Sequence, residues 1–271
     1  MVRSEGSVLR RVLVCPPTRE YACVDCTTRQ NFVEVPCATD ACKQHAALRL
    51  ALAQAGAEVL EIDELEGHPN SAFVRDVALV TPEGFLRLRM GLPARSGEEA
   101  WVADYLGALG MPEIGRLEAP ATLEGGDVFL LGDLALIGVS ERANAEGVTQ
   151  LKRALEPMGY QVRTTPIVPP ALHLGSVLSP VGEERMVCIE GTLPVDFLES
   201  LDVIWAPRDK PDATANVLCL GEGDVLADSR ESPRTLEALD RAGVTVRRLD
   251  LSEFGKGSGG PTCLALPLQR G

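Results

Sequence analysis

The chain has 271 residues, 26 basic against 39 acidic side chains, three histidines and eight cysteines. That length buries a substantial core, which excludes a mini-protein held together by disulfides. The net charge of −13, with no run of Lys or Arg, repels polyanions, so nucleic acid and membrane are excluded as partners and an electropositive ligand is favoured.

The opening segment MVRSEGSVLRRVLVC lacks an unbroken apolar core, and no later stretch is apolar enough to span a membrane. A cytoplasmic protein is expected, with its cysteines kept as thiols. In chain order, the pattern predicts a strand at Val8–Val14, a polar loop at Pro16–Thr39, a helix at Ala41–Ala55 and a strand at Glu58–Ile62. A hairpin from Ala72-Phe73-Val74, turning at Pro82-Glu83-Gly84, precedes a helix at Glu98–Leu109 and a strand at Gly115–Glu118. The next hairpin, Asp127–Val139, turns at Gly132-Asp133 and leads to a helix at Asn144–Met158 and a strand at Gln161–Thr165.

A third hairpin starts at Leu172, turns at Gly182-Glu183 and returns through Met186–Ile189; a helix at Val195–Leu201 and a strand at Val203–Ala206 complete the unit. The fourth starts near Asn216, turns at Gly221–Asp224 and ends with the helix Pro233–Ala242 and the strand Thr245–Leu249. These units recur every ~40–55 residues, a period that suggests a closed array. A fifth forms only if Cys263–Leu268 joins the N-terminal elements, so the chain is expected to be one domain, 1–271, closed by its C-terminal strand. The loops at 16–39 and 254–261 would then border the same end of the ring as lids.

Chemistry-bearing residues collect at the hairpin starts. His173 is the one histidine in such a position; alone, it reads as a buried, hydrogen-bonded structural residue. Asp76, Glu124 and Asp127 share that placement, and buried carboxylates are costly unless paired or functional. Cys263 follows a Gly-rich loop at the head of a strand, where a lone cysteine is usually core but a nucleophile with a base nearby would also stand. Cys23, Cys26, Cys37 and Cys42 offer four ligands for a structural zinc, with plain thiols as the alternative reading.

The motifs Pro69-Asn-Ser-Ala-Phe-Val-Arg-Asp76, Leu123-Glu-Gly-Gly-Asp127, Arg142-Ala-Asn144, Leu172-His-Leu174 and Gly259-Gly-Pro-Thr-Cys263, in this order, resemble those of the guanidino-group-modifying enzymes of the pentein superfamily. The similarity is greatest to the dimethylarginine dimethylaminohydrolases, with arginine deiminases as near relatives. The resemblance implies an α/β fold, a five-bladed propeller of ββαβ units. It implies Cys263 as nucleophile, His173 as general acid and base, Glu124 as its partner, and Asp76 as the guanidinium ligand. It also implies Asn70, Arg95 and Arg142 at the amino-acid head group.

The implied reaction hydrolyses the guanidino C–N bond of a methylated arginine, giving citrulline and an alkylamine without metal or organic cofactor. The implied partner is a small guanidino molecule, with a homodimer left open. Arginine deiminase, amidinotransferase or a non-catalytic binding propeller are the alternatives. Deiminases carry a second Asp two residues after the histidine; here that residue is Gly175, which leaves room for an alkyl group. Asn70 and Arg75 are instead deiminase-like. An Arg75 facing the site would repel a cation, whereas adjacent strand positions face opposite sides.

Overall fold

A computed structural model describes residues 1–271. β1 (Leu9–Val14) leads through α1 (Thr27–Gln30) and α2 (Ala38–Gln54) to β2 (Glu58–Glu61). β3 (Ala78–Val80), β4 (Phe85–Arg87), α3 (Glu98–Ala108) and β5 (Glu113–Arg116) follow, then β6 (Val128–Leu131), β7 (Leu134–Val139), α4 (Ala145–Leu155) and β8 (Gln161–Pro166). The second half comprises β9 (Leu178–Pro180), β10 (Arg185–Ile189), β11 (Asp202–Ala206), β12 (Val217–Gly221), β13 (Asp224–Asp228), α5 (Pro233–Arg241), β14 (Thr245–Leu249), α6 (Ser252–Gly255) and β15 (Leu266–Arg270).

The strands form five sheets of three. In each, the middle strand runs antiparallel to one neighbour and parallel to the other, as β7 does with β6 and β8. The parallel step needs a crossover, and in four sheets a helix supplies it. β15 pairs with β1, so the two ends of the chain share one sheet and close a five-bladed α/β propeller.

Burial explains which strand lies inside. β6 (VFLL) and β12 (VLCLG) are buried at every position, as strands covered on both faces must be. The third strands, such as β2 (EVLE) and β5 (EIGR), keep their ends exposed at the rim. Cores run between blades: Phe129 and Leu136 share one cluster with Leu178, Val187 and Val217 of the next two sheets.

Two expectations need correction. Between β10 and β11 there is no α-helix at Val195–Leu201, only a 3-10 turn at Asp196–Leu198. Seven residues hemmed in by Pro194 and by Ser200, whose φ is 69°, cannot repay helix nucleation. The hairpins also begin later than expected. The residues ahead of the inner strands form single 3-10 turns at Val74–Asp76, Gly125–Asp127 and Leu174–Ser176, and these carry or adjoin the polar groups.

Candidate active site

Three consecutive blades thus present the same short turn at the same end of the ring. Asp76 lies on the first, Glu124 caps the second and His173 caps the third. Cys263 stands on the final turn before β15, and its carbonyl accepts the Arg75 N–H at 3.2 Å. Asp76, Glu124, His173 and Cys263 line one pocket, together with Asn70, Arg95 and Arg142.

His173 Nε2 lies 2.9 Å from Glu124 Oε2. The other Glu124 oxygen accepts the N–H groups of Gly91 at 3.0 Å and Leu92 at 3.2 Å, with Arg142 Nη1 at 3.8 Å. Burial alone would neutralise both partners. The His173 hydrogen bond and charge, aided by Arg95 and Arg142, nevertheless hold the Glu124 carboxyl below its ordinary range. Asp76, Asp127 and Glu124 likewise lift the imidazole above its ordinary value despite burial. Each partner thus favours the charged form of the other. Gly126 permits this crowding, because a Cβ there would come within 2.6 Å of His173 Nδ1 and 3.0 Å of Asp76 Oδ1.

Asp76 is held by two donors: Gly126 N–H at 3.1 Å and Arg95 Nη1 at 2.5 Å. Arg95 also donates through Nε to Glu98 at 2.8 Å and through Nη2 to the Phe73 carbonyl at 2.9 Å. Its fork is therefore engaged by the protein. Asn70 donates Nδ2 to the Gln30 carbonyl at 3.0 Å, while its buried Oδ1 has no partner.

Arg75 points away from this pocket. Its guanidinium grips Glu5 through two bonds of 2.6 and 2.7 Å and also donates to the Val128 and Gly125 carbonyls. Asp127 braces the third turn rather than the pocket, accepting Leu174 N–H at 2.9 Å and the Ser140 hydroxyl at 2.5 Å. Burial pushes its carboxyl up to about 6.

Burial first, and Asp76 second, raise the Cys263 thiol above its ordinary value. Sequence reasoning left out one of its neighbours. Asn216 Nδ2 lies 3.8 Å from Cys263 Sγ, while Asn216 Oδ1 accepts the Thr262 hydroxyl at 2.8 Å. Asn216 heads the fourth hairpin just as the other site residues head theirs, and that position was the available signal.

Both loops border the pocket, contributing Asn31 and Gly257–Gly259. Tyr21, Phe32 and Phe254 pack together with Phe73, their ring centroids 5.0–5.8 Å from Tyr21. Backbone contact between Val33 and Lys256 at 2.7 Å joins the loops directly. The free space left inside is about 20 Å³, room for one or two waters.

The zinc reading of the cysteine cluster fails. Cys23, Cys26, Cys37 and Cys42 are exposed thiols that form no ligand group. Cys42 Sγ lies 2.8 Å from the Pro17 carbonyl, whereas His45, three residues along α2, is buried against Phe254. Asp76, Glu124 and His173 do approach one another closely enough to coordinate an ion. Their lone pairs, however, already meet Arg95, Arg142 and one another, cations that would repel a metal.

The sequence pattern of the family described as Arginine deiminase matches residues 64–179 and 195–270. N(G),N(G)-dimethylarginine dimethylaminohydrolase of Streptomyces coelicolor is 34% identical over 81% of this chain and 82% of its own. An arginine deiminase of Listeria innocua is 27% identical over 76% of this chain and 63% of its own. Among solved structures, the dimethylarginine dimethylaminohydrolase of Pseudomonas aeruginosa complexed with citrulline superposes with a TM-score of 0.82 at 27% identity, covering 96% of this chain and 99% of that one. A ring of five such blades, with those motifs on its inner turns, makes this chain a member of the arginine deiminase family within the pentein superfamily, a dimethylarginine dimethylaminohydrolase-like enzyme of the class that hydrolyses guanidino groups.

Proposed function

We propose that the protein hydrolyses the guanidino group of methylated arginine to citrulline and an alkylamine, with Cys263 as nucleophile. The observation that carries this reading is the His173–Glu124 pair on the wall of the pocket that also holds Cys263 and Asp76. Asp76 pairs with the substrate guanidinium, and the arriving cation offsets the charge that raises the thiol, favouring the thiolate. The Cys263 sulfur adds to the guanidino carbon. His173, oriented by Glu124, passes a proton to the departing amine. The C–N bond breaks and an S-alkylthiouronium adduct remains. Neutral His173 next takes a proton from water, the hydroxide adds to the adduct, and the C–S bond breaks to return the thiolate, while the added hydroxyl gives up its proton to solvent and citrulline is released.

Arg142 is the remaining cation suited to the substrate carboxylate, and the unpartnered Asn70 Oδ1 accepts from its ammonium. Arg95, engaged on three sides, acts as a positioning residue for Asp76. Incubation with asymmetric dimethylarginine should release equimolar citrulline and dimethylamine, and Cys263→Ser should abolish both while the protein stays folded. Ammonia from unmodified arginine, with methylated arginines untouched, would assign a deiminase instead.

A further inference from the structure

Cys263 and His173 belong to two cavities. The first is the acidic pocket already described. The second, on the other side of the same pair, is lined by Phe129, Gly175, Ser176, Asn216 and Thr262 and by Arg75, whose charge is taken up by Glu5. No carboxylate lines it, and its free space of about 20 Å³ suits one or two methyl-sized groups. A guanidinium shared between the two would turn its N–H edges towards Asp76. A nitrogen whose hydrogens are replaced by carbon loses nothing on the neutral side.

The second cavity shares part of its wall with a larger one. Leu172, Ser176 and Ser258 also line a cleft of about 630 Å³ whose walls include Val33, Val168, Pro170, Val177, Leu193 and Ala213. Val168 and Val33 leave 68% and 76% of their surface exposed at its rim, and apolar side chains make up much of the wall, interrupted by Ser176, Thr192, Thr214, Ser258, Arg208 and Asp212. Isolated exposed valines need no explanation, but two of them bordering a cleft with a largely apolar wall point to a binding surface.

We propose that this cleft receives the N-substituent of the substrate, so that the enzyme accepts arginines whose alkyl group is longer than methyl and releases the matching amine through it. The proposal rests on the guanidino-hydrolase reading and specifies the substrate class of that same site. Its occupant is the alkyl chain, because the cleft and the cavity beside Cys263 share three wall residues and neither offers an unpaired carboxylate at that junction. Gly175 contributes by omission. A Cβ there would already lie 3.2 Å from the Gly126 carbonyl and 3.5 Å from the Phe129 ring, so any larger side chain would fill the neutral cavity.

The test uses the whole protein and a homologous series of N-alkyl-L-arginines, methyl to pentyl, with two readouts. Protection of Cys263 from iodoacetamide measures binding without requiring turnover, and amine release measures the reaction. From propyl onward, the half-protecting concentration should fall about fourfold for each methylene buried. Val168→Asp, which places a charge at an exposed rim position, should flatten that series. A series that is flat or weakens beyond methyl in the wild-type protein overturns the proposal and leaves the cleft to another occupant, such as a protein surface. Chain-length-dependent protection without amine release would keep the subsite but refute the hydrolase reading. Release from methylated arginines without any gain from longer chains would do the reverse.

Discussion

Two buried arginine–carboxylate pairs flank the turn Val74–Asp76, and they differ in consequence. Arg75 clasps Glu5 with both nitrogens of its fork, tying the segment ahead of β1 to the second blade's turn through Gly125 and Val128. Arg95 holds Asp76 from the opposite side, but that carboxylate borders the pocket that Cys263 and His173 also line. The first pair reaches a cavity wall only through its arginine, whose charge Glu5 already takes up, and its carboxylate faces no pocket. The second leaves its carboxylate a face where a ligand can meet it. A buried charge pair is therefore a functional clue only through its position relative to a cavity, because its desolvation and Coulomb terms are the same in either place.

Two substitutions test this contrast. Asp76→Asn should lower kcat/KM at least about 10²-fold, since it removes charge aimed at the reacting cation. Iodoacetamide should nevertheless alkylate Cys263 faster in that variant at a fixed neutral pH, because the Asp76 charge, after burial, is what raises the thiol. Slower alkylation would break the electrostatic link between the two residues. Arg75→Met should act on stability instead. It strands Glu5 without its partner and should reduce the unfolding free energy in urea by roughly 3–5 kcal/mol. Its kcat/KM should fall far less than that of Asp76→Asn, and equal losses would erase the distinction between the two pairs.

The smallest effect concerns His45, buried with both ring nitrogens unpartnered. Burial, with Arg49 adding to it, pushes its pKa down to about 3 from 6.5. The unfolded chain therefore takes up a proton below about 6.5 that the folded chain refuses, and stability falls as the pH drops from there towards 3. His45→Leu should flatten that acid slope and raise the urea midpoint at neutral pH by the equivalent of about 1 kcal/mol. An unchanged acid slope would show that His45 finds a partner in solution.

Much of the ring was legible because its signals are local. Apolar runs such as Val128–Leu131, the Gly132-Asp133 turn and the amphipathic spacing of Ala145–Leu155 each announce an element without reference to the rest of the chain. The helix expected at Val195–Leu201 failed for the complementary reason: seven residues carry a period but not enough hydrogen bonds. In the site, residue type and hairpin position singled out Asp76, Glu124, His173 and Cys263, and the motif order added their roles. Orientation was beyond reach. Nothing in the sequence distinguishes an arginine that lines the pocket with its fork largely unengaged from one already engaged by Glu98, Asp76 and a carbonyl, which is the difference between Arg142 and Arg95. Asn216 went unnoticed because a neutral amide bears no charge that demands an explanation.

Closure of the ring by β15 also imposes an order in time. Cys263 is synthesised well after Asp76, Glu124 and His173, just ahead of the strand that closes the ring. The middle blades can pair their strands from neighbouring sequence, but the first sheet must wait for a partner from the far end, a non-local contact that slows folding. Cys263 thus joins Asp76, Glu124 and His173 only in the step that completes the circle, and a chain arrested before that step holds those three side chains without the thiol that stands beside them.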